Sequence, residues 1–517
     1  MQYAVVDMEL TVKGETLDDL EIVSFHGQEE ISAPYEYVIR FMTSTDTTSQ
    51  SLAGKQATFK FQIEGLLDKK EPSYVHGYVH VHRVLGLSLQ RAYITELVIR
   101  PRLSKLALTG QRQVSGTTSA IKMHELAAQL LDPATYKKNT TTAGSFSDEQ
   151  KIDSDVPSDL VSTKRNFVLQ YHESDLNFFM RLLEQEGIFF FVSNDQSKET
   201  VQLGDKNQVF KKISGKIDYV PEHLAHAPQT EHVRLVRKRA DYAEKKAYVR
   251  DYNYDKASQA SKYVLDHAVD SDGFGASVSY DDHFQETSDG KRYAQVRAEE
   301  ALTWQALYEM ESNSTRLRPG MLFELDTDER KLSHFNQRYL VVASTVGFSR
   351  GMDNVWVEQE EPFVNRLVCV ALASDAVTFR PRRVTPKPRV AGLLNATIDN
   401  DQNSVEAKLN SNGTYHIRFI EEESDETRLP AGKASADVRQ SQPFGGGSET
   451  GLQFPLYKGT EVMIGFIEGD PDRPVIVGTV VNSENKSVLD NLSDALNQNK
   501  TNRIRTSSGI TIEMIDG

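Results

Sequence analysis

The sequence predicts a mainly β protein with some α-helix (α+β), and three observations carry that prediction. Many short segments are rich in β-branched and aromatic residues and are separated by turn residues, a pattern typical of antiparallel strands. A few longer segments place apolar residues at helical spacing instead. The chain has 517 residues, and because one hydrophobic core rarely serves a chain of that length, we expect several domains.

Strand-like runs fill the first hundred residues, and their spacing is too short for helical crossovers. They therefore indicate an antiparallel barrel or sandwich. The runs are EIVSFHG, YEYVIRFM, ATFKFQIEG, YVHGYVHVHRVL and RAYITELVIRP. The next segment, SAIKMHELAAQLLDP, has apolar residues that partly fit helical spacing, and we expect Pro133 to end that helix.

The segment NFVLQYHESDLNFFMRLLEQEGIFFFV predicts a strand, a helix and a second strand. Ser174 is a good N-cap, and Asp175 in the first turn complements the helix dipole. Gly187 is expected to end the helix, because glycine adopts the left-handed conformation at little cost. The helix is expected to bury an apolar stripe made of Leu176, Phe179, Met180 and Leu183.

The middle of the chain is expected to hold a loosely ordered, charged region from about 211 to 285. A helix is predicted over DGKRYAQVRAEEALTWQALYEME, followed by a second set of strands. Residues 381–389 are rich in proline and arginine, which favours an extended linker. Residues 390–482 contain five strand-like runs and predict a small Greek-key barrel of the oligonucleotide-binding (OB) shape.

The hexapeptide GDPDRP, Gly469 to Pro474, raises the question of an acid–base pair. Alternating apolar residues flank it on both sides, so we expect a turn between two strands of the small barrel. Asp470 is expected to accept a hydrogen bond from the backbone two residues later. Arg473 is expected to pair with a carboxylate, for which Glu468 and Asp472 are the nearest candidates in sequence, or with unpaired carbonyls at the rim of the barrel. We expect the turn to be exposed, which excludes acid–base catalysis by its two aspartates.

Composition excludes several function classes. The net charge of −15 argues against nucleic acid as the main partner. Cys369 is the only cysteine, so no internal disulfide is possible. The N-terminal segment lacks the basic start and apolar run of a signal peptide, which favours a cytoplasmic location during assembly. No apolar run approaches the ~20 residues that a membrane helix needs.

Three segments resemble metal sites, and none is complete in the sequence. His76, His80 and His82 are expected to share one strand face, but no cysteine or nearby carboxylate completes a zinc set. The segment after His124 lacks the second histidine of a zincin motif. The segment from Asp399 lacks the glycine and glutamate of a calcium loop. We therefore expect no catalytic residue, no cofactor and no bound metal.

Two motifs together resemble the VgrG proteins, the trimeric spikes of bacterial type VI secretion, and related phage tail hub and spike proteins. They occur in the family's order, and weaker similarity covers nearly the whole chain. The matching residues of the first motif are Gln170, Tyr171, Glu173, Ser174, Asp175, Phe178, Arg181, Glu184 and Gly187. Those of the second motif are Gly469, Asp470, Pro471, Asp472, Arg473 and Pro474.

The resemblance implies a division into four parts. Residues 1–380 would form a phage tail hub-like domain with two barrel-like subdomains and helical insertions. Residues 381–389 would be a linker, and 390–482 an OB-fold-like spike barrel. Residues 483–517 would form a neck and the start of a trimeric β-helix or β-prism needle. The alternation of Ile510, Ile512 and Met514 supports a strand there.

The function implied by the resemblance is structural and not enzymatic. The chain would form a homotrimer that caps a tube of Hcp-like protein and is driven through the target membrane. Its further partners would be a PAAR-like tip protein, baseplate proteins, and secreted effectors with their adaptors. It would assemble in the cytoplasm and then be injected by the contractile apparatus.

Two alternatives remain open from the residues. The first is the equivalent hub-spike protein of a phage tail or of an extracellular contractile injector. The second is a spike that carries an effector enzyme after residue 517. Neither the target cell nor the cargo can be read from the sequence.

Overall fold

The structure is a computed structural model, and it describes most of the chain between residues 6 and 516. The residues inside that span that it does not describe are 50, 64–71, 89–90, 111–112, 117–118, 133–151, 222–229, 281, 328–329, 351–360, 373–377, 402–405, 408, 410–412, 421–430, 436, 448–449 and 491–498. Pro133, expected to end the first helix, lies outside the described residues.

The described residues form three α-helices and thirty strands. The helices are α1 Met123–Gln129, α2 Asp175–Glu186 and α3 Thr287–Gln305. The first fifteen strands are β1 Val6–Val12, β2 Glu21–Glu30, β3 Glu36–Thr43, β4 Gln56–Ile63, β5 Ser73–Leu87, β6 Tyr93–Arg100, β7 Gln113–Ser115, β8 Ile121–Lys122, β9 Ser154–Asp155, β10 Lys164–Arg165, β11 Val168–Gln170, β12 Phe189–Asn194, β13 Glu199–Gly204, β14 Lys211–Lys212 and β15 Ile217–Tyr219.

The remaining strands follow in chain order. They are β16 His232–Ala240, β17 Lys246–Arg250, β18 Val264–Ala268, β19 Ala276–Ser279, β20 Ala306–Ser312, β21 Met321–Asp326, β22 Arg338–Ser349, β23 Glu361–Ala371, β24 Leu394–Asp399, β25 Thr414–Phe419, β26 Val438–Gln440, β27 Glu461–Phe466, β28 Pro474–Thr479, β29 Thr501–Arg505 and β30 Thr511–Ile515. The mainly β class predicted from the sequence is therefore confirmed.

A thirteen-stranded sheet forms the largest part of the molecule. Its strand order is β1-β4-β5-β6-β3-β2-β22-β23-β20-β16-β15-β21-β14. The first six strands pair antiparallel with their neighbours in this order, as their close spacing predicts. The pairing of β2 with β22 joins the two ends of the large N-terminal region, so strands far apart in sequence share one sheet.

Two predictions about the middle of the chain were wrong. The region 211–285 is not loosely ordered, because it contains strands β14 to β19. Strands β18, β17 and β19 form a small sheet that packs against α3. The helix predicted to continue to Glu311 ends at Gln305, and strand β20 begins at Ala306. Strand β20 pairs with β16 and β23, and this pairing overrides the helical spacing of the segment.

The C-terminal part begins with a closed barrel of five strands in the order β24-β25-β26-β28-β27. Its apolar core includes Ile398, Ile417, Val462 and Ile476. Val114, Phe167 and Leu169 of the N-terminal region belong to the same core, so the barrel packs directly on the segment that precedes α2. Beyond the barrel, β29 and β30 pair as an antiparallel hairpin. No helix of the described residues is both long and apolar enough to cross a membrane.

Candidate functional site

The hexapeptide turn is the centre of the site. It joins β27 to β28, as predicted, and Pro474 is the first residue of β28. Gly469 has a φ of 73°, and the preceding Glu468 also has a left-handed φ of 57°. The expectation that the turn is exposed was wrong, since Asp470 is 3% exposed and Asp472 is 9% exposed. The turn is buried because the barrel packs against the region around β10, β11 and His283.

Asp472 connects the two sequence motifs. Its Oδ1 accepts a hydrogen bond of 2.8 Å from the backbone N–H of Leu169, a residue 303 positions away in sequence. Leu169 lies in β11 immediately before Gln170, the first residue of the helix motif. Arg165 Nη1 lies 3.8 Å from Asp472 Oδ2, and Arg165 Nη2 lies 3.6 Å from Glu186 Oε1. The two motifs therefore belong to one contact region.

Asp470 is held by three groups. Its Oδ1 accepts a 3.0 Å hydrogen bond from the backbone N–H of Asp472, which is the local bond expected from the sequence. Lys387 Nζ lies 2.7 Å from Asp470 Oδ1. His283 Nε2 lies 2.7 Å from Asp470 Oδ2 and 2.9 Å from Lys387 Nζ. We call the group of His283, Lys387, Asp470 and Asp472 the joint cluster.

Burial and charge determine the protonation of the joint cluster. Burial by itself raises the pKa of the Asp470 carboxyl, but His283 and the Lys387 ammonium outweigh it and hold the pKa well below its ordinary value. The pKa of Asp472 is likewise lowered, since the charge of Lys387 outweighs the effect of burial. Burial, and then the charge of Lys387, lowers the pKa of His283 below 6.5. The cluster therefore contains two carboxylates, one ammonium and a neutral imidazole at pH 7.

A neutral imidazole nitrogen cannot donate and accept at the same time. If Nε2 of His283 carries the proton, it donates to Asp470, and Lys387 binds the carboxylates alone. If Nδ1 carries the proton, Nε2 accepts from Lys387 instead. His283 also has a left-handed φ of 55°, a conformation that is uncommon for a residue with a side chain.

Arg473 does not pair with the carboxylates expected from sequence proximity. Its Nη2 donates to Asp251 Oδ1 at 2.7 Å, and its Nε lies 3.7 Å from Asp470 Oδ2. Asp251 follows β17, and its Oδ2 accepts from the backbone N–H of Phe284. The turn is thus fixed to the small sheet at β17 to β19 as well as to β11.

The helix motif supplies the other side of the contact region. Ser174 Oγ accepts from Asn177 N at 3.2 Å, which confirms the predicted N-cap. Gln170 Nε2 donates to Asp175 Oδ1 at 2.7 Å. Arg181 donates from Nε and Nη2 to the Glu173 carboxylate at 2.8 and 2.7 Å. These polar contacts fix the entry to α2 against its own first turns.

Aromatic residues of the helix motif complete this packing. The Phe178 ring lies under the Arg181 guanidinium, with 4.9 Å between the guanidinium carbon and the ring centroid. Tyr171 packs against the barrel core and stacks on the ring of His172. Phe179 and Leu183 are fully buried, whereas Leu176 and Met180 are partly buried against the same core. Phe178 and Leu182 are buried too, so α2 is enclosed on more sides than the predicted stripe indicates.

The C-terminal end of α2 binds the proline-rich linker. Glu184 accepts from Val384 N at 3.0 Å and from Thr385 N and Oγ1 at 2.9 and 2.7 Å. Gly187 has the predicted left-handed φ of 73°, and a Cβ there would lie 2.4 Å from Val296 of α3. Residues 381–389 contain no regular secondary structure, as expected, but their contacts show that the segment is docked.

The three segments that resemble metal-binding motifs make other contacts in the structure. A bulge at His80 shifts the register between Val79 and Val81, so His82 pairs with Leu97 of the core face while His76 pairs with Thr58. The expectation that the three histidines share one face was therefore wrong. His124 is buried, with Nδ1 2.8 Å from Ser162 Oγ. Asp399 Oδ2 accepts from the backbone N–H groups of residues 432 and 434.

The sequence analysis named Asp470 and Asp472, and it missed the other two residues of the joint cluster, His283 and Lys387. His283, Asp470 and Asp472 place one nitrogen and two carboxylate oxygens within 4.8 Å of one another, which is a metal-like set. His283 and Asp470 lie 187 positions apart, and no local pattern connects them. The basic linker offered a weak signal for Lys387, because a cation in a docked segment needs a buried carboxylate partner.

The same chain matches a family model described as the phage tail baseplate hub (GPD) over residues 28–351. The chain belongs to this family. It is 24% identical over 483 residues to the type VI secretion system spike protein VgrG1b of Pseudomonas aeruginosa, a match that covers 90% of the chain. The VgrG resemblance indicated by the two motifs is thereby confirmed. The match covers 59% of the relative's length, less than two thirds of it.

Two solved structures share the fold. The c3393 protein of E. coli, described as a component of the type VI secretion system similar to T4 bacteriophage gp27 and gp5, matches with a TM-score of 0.61 at 20% identity. That match covers 91% of this chain and 100% of the other. The half-lidded PdpA–VgrG complex of Francisella matches with a TM-score of 0.63 at 11% identity, over 99% and 83% of the two chains.

Proposed function

We propose that this chain is the structural hub and spike of a bacterial type VI secretion system. The observation that carries the proposal is the combination of a hub family match with a barrel that the joint cluster fixes to the hub region. In this function the chain transmits force and does not catalyse a reaction. Asp472 accepts from the backbone of β11 and Asp470 accepts from the backbone of its own turn, and these contacts support a structural role for both aspartates.

A spike requires a rigid connection between its base and its point. Asp472 binds β11, Arg473 binds the loop after β17, and Lys387 binds the linker to the turn. These contacts approach the barrel from three separate segments, so a bending motion at the turn would break buried charge pairs. Breaking one such pair leaves an uncompensated buried charge, which costs about 3–5 kcal/mol.

The C-terminal hairpin supports assembly into a homotrimer. Ile504 and Ile512 face each other across its two strands, and Ile512 is 57% exposed in one chain. Ile510 and Met514 follow the same alternation and are also exposed. An apolar face of this kind gains about 25 cal/mol per Å² of apolar surface that a neighbouring chain covers. Three copies around one axis would bury the face and begin the needle.

The remaining parts of the proposal extend this assembly. The base of the trimer would sit on a tube of Hcp-like protein and contact baseplate proteins. The needle would carry a PAAR-like tip protein and, through adaptors, secreted effectors. The trimer would assemble in the cytoplasm, and sheath contraction would then drive it through the target membrane. In this account the four predicted segments act as hub, linker, OB-fold-like barrel and needle base, with two barrel-like subdomains in the hub.

Tube release tests the proposal in the bacterium that encodes the chain. Deletion of the gene should stop release of the tube protein into the medium, and the wild-type gene should restore it. An Ile512→Asp gene should not restore release, whereas Glu468→Gln, a change at an exposed carboxylate beside the turn, should. Unchanged tube release after the deletion would contradict the proposal.

A second candidate is the equivalent part of a phage tail or of an extracellular injector. The observation that favours it is the description of the matching family as a phage tail baseplate hub. The same deletion separates the two candidates. Loss of infectious or free tail-like particles, with type VI tube release unchanged, would favour the second.

A further inference from the structure

We propose that His283, Asp470 and Asp472 form a divalent-cation site whose cation position is taken by the Lys387 ammonium, so that linker docking and metal binding exclude each other. The proposed site does not depend on whether the assembled particle is a secretion system or a phage tail.

The Lys387 ammonium lies close to all three proposed ligand groups. Lys387 Nζ lies 2.7 Å from Asp470 Oδ1, 2.9 Å from His283 Nε2 and 3.5 Å from Asp472 Oδ2. These are the three side chains whose ligand atoms lie within 4.8 Å of one another. The nitrogen therefore sits where all three ligand groups converge, which is the place that a coordinated cation would take.

A second observation shows that the ammonium satisfies this set incompletely. Asp472 Oδ2 is buried and has no hydrogen-bond partner among the described residues. Lys387 approaches it at 3.5 Å and Arg165 at 3.8 Å, both too far for a good hydrogen bond. A buried carboxylate oxygen without a hydrogen-bond partner is unfavourable, so the site favours a cation that can bind His283, Asp470 and Asp472 at once.

The donor chemistry identifies the class of metal. One imidazole nitrogen and two carboxylates suit Zn²⁺, Co²⁺ and Mn²⁺, whereas calcium and magnesium prefer oxygen donors alone. A metal ligand must be deprotonated, so metal binding should weaken as the pH falls. A metal and an ammonium cannot occupy the same position, so Lys387 must leave before a metal binds.

The docked linker explains why Lys387 prevails in the wild-type chain. Val384 and Thr385, three and two residues before it, bind Glu184, and Val390 N donates to Gly469 O at 2.8 Å. These contacts hold Lys387 beside the carboxylates on both sides in sequence, so its local concentration is high. A free metal ion would have to compete against this tethered cation.

Cobalt binding to the full chain tests the proposal. Lys387→Ala should bind one Co²⁺ per chain with a visible absorption band of a nitrogen and oxygen site, at least about ten-fold tighter than the wild type. Zn²⁺ should raise the melting temperature of Lys387→Ala and leave that of the wild type unchanged. Arg389→Ala is the matched control, because it removes a linker cation outside the ligand set and should gain no metal.

Two further variants make each outcome decisive. Lys387→Ala/Asp470→Asn should lose the cobalt band, and Lys387→Met should gain it while keeping the apolar stem of the lysine. A Lys387→Ala chain that folds and binds no cobalt would overturn the proposal. So would cobalt binding to the wild type that is as tight as binding to Lys387→Ala, or failure of both Lys387 variants to fold in the presence of Zn²⁺ as well as in its absence.

Discussion

The joint cluster and the C-terminal hairpin reverse the usual distribution of polar and apolar residues. The joint cluster buries two aspartates and partly buries His283 and Lys387, and each of the four contacts another member of the cluster. The hairpin exposes a face of isoleucine and methionine side chains that the described residues of one chain leave uncovered. The contacts of the first region therefore lie within a single chain, whereas in the proposed function other copies of the chain cover the second.

This difference separates two kinds of stability. Substitutions in the joint cluster should lower the free energy of unfolding of each chain, because they leave buried charges without partners. Damage to the hairpin face should change association and leave each chain folded, because an exposed side chain contributes little to folding. The following changes test the two regions in order of decreasing effect on unfolding.

Asp472→Ala is expected to have the largest effect. It removes the acceptor of Leu169 N and leaves Arg165 and Lys387 without a shared carboxylate, so the free energy of unfolding should fall by about 3–5 kcal/mol. Glu468→Ala, at an exposed residue of the same connection, should cost less than about 0.5 kcal/mol. Urea unfolding of the two variants measures the contrast. Equal losses would show that the burial of Asp472 does not matter.

Phe179→Ala tests an apolar position that a single chain does cover. Its ring is fully buried in the core of α2 and packs edge to face on Phe190, so we expect a loss of about 3–5 kcal/mol. Leu176→Ala, on a partly buried position of the same helix, should lose less. A loss below about 1 kcal/mol for Phe179→Ala would mean that this face of α2 is loosely packed.

Acid should reduce the contribution of the joint cluster to the free energy of unfolding in two steps. The folded pKa of His283 is lowered, so the unfolded chain takes up a proton first, and stability declines as the pH falls below about 6.5 with a slope of at most about 1.4 kcal/mol per pH unit. The lowered pKa values of Asp470 and Asp472 add a second decline below about pH 3.8.

His283→Asn isolates the first step of this pH dependence. Asparagine accepts the left-handed conformation at this position and can still donate to Asp470. The variant should lose the part of the slope that begins below about pH 6.5, which is measured by unfolding at each pH. An unchanged slope would mean that His283 does not titrate differently in the folded chain.

Local signals predicted the elements of the site, and they could not predict its contacts. The N-cap at Ser174, the left-handed Gly187 and the turn at Pro471 depend on a few neighbouring residues, so the sequence indicates them directly. The partners of Asp470 lie 83 and 187 positions away, and only the packing of the barrel on the hub region brings them together. That packing also buries the turn, which a turn sequence alone does not reveal.

Two errors in the strand and helix predictions have the same origin. No glycine or proline lies near the boundary between Gln305 and Ala306, so nothing in the local sequence marks the end of the helix. The strand begins there because the segment pairs with β16 and β23. The bulge at His80 is likewise set by pairing with β6, and it moves His82 to the opposite face of the strand. Both features depend on strands distant in sequence, and no local pattern marks them.

Ile512→Asp should have the smallest effect on the unfolding of one chain. The side chain is exposed in the hairpin, so the monomer should lose less than about 0.5 kcal/mol. Its effect on assembly should be much larger, because three carboxylates would face one another around the proposed axis. Circular dichroism should show an unchanged β spectrum.

Light scattering of the purified chain tests the central claim most directly. The wild type is expected to have three times the mass of one 58.2 kDa chain, and Ile512→Asp should shift it to the mass of one folded chain. Glu468→Ala should leave the wild-type mass unchanged. A wild type that stays monomeric at every concentration, or an Ile512→Asp chain that keeps the triple mass, would contradict the claim that the hairpin face is completed by other copies of the chain.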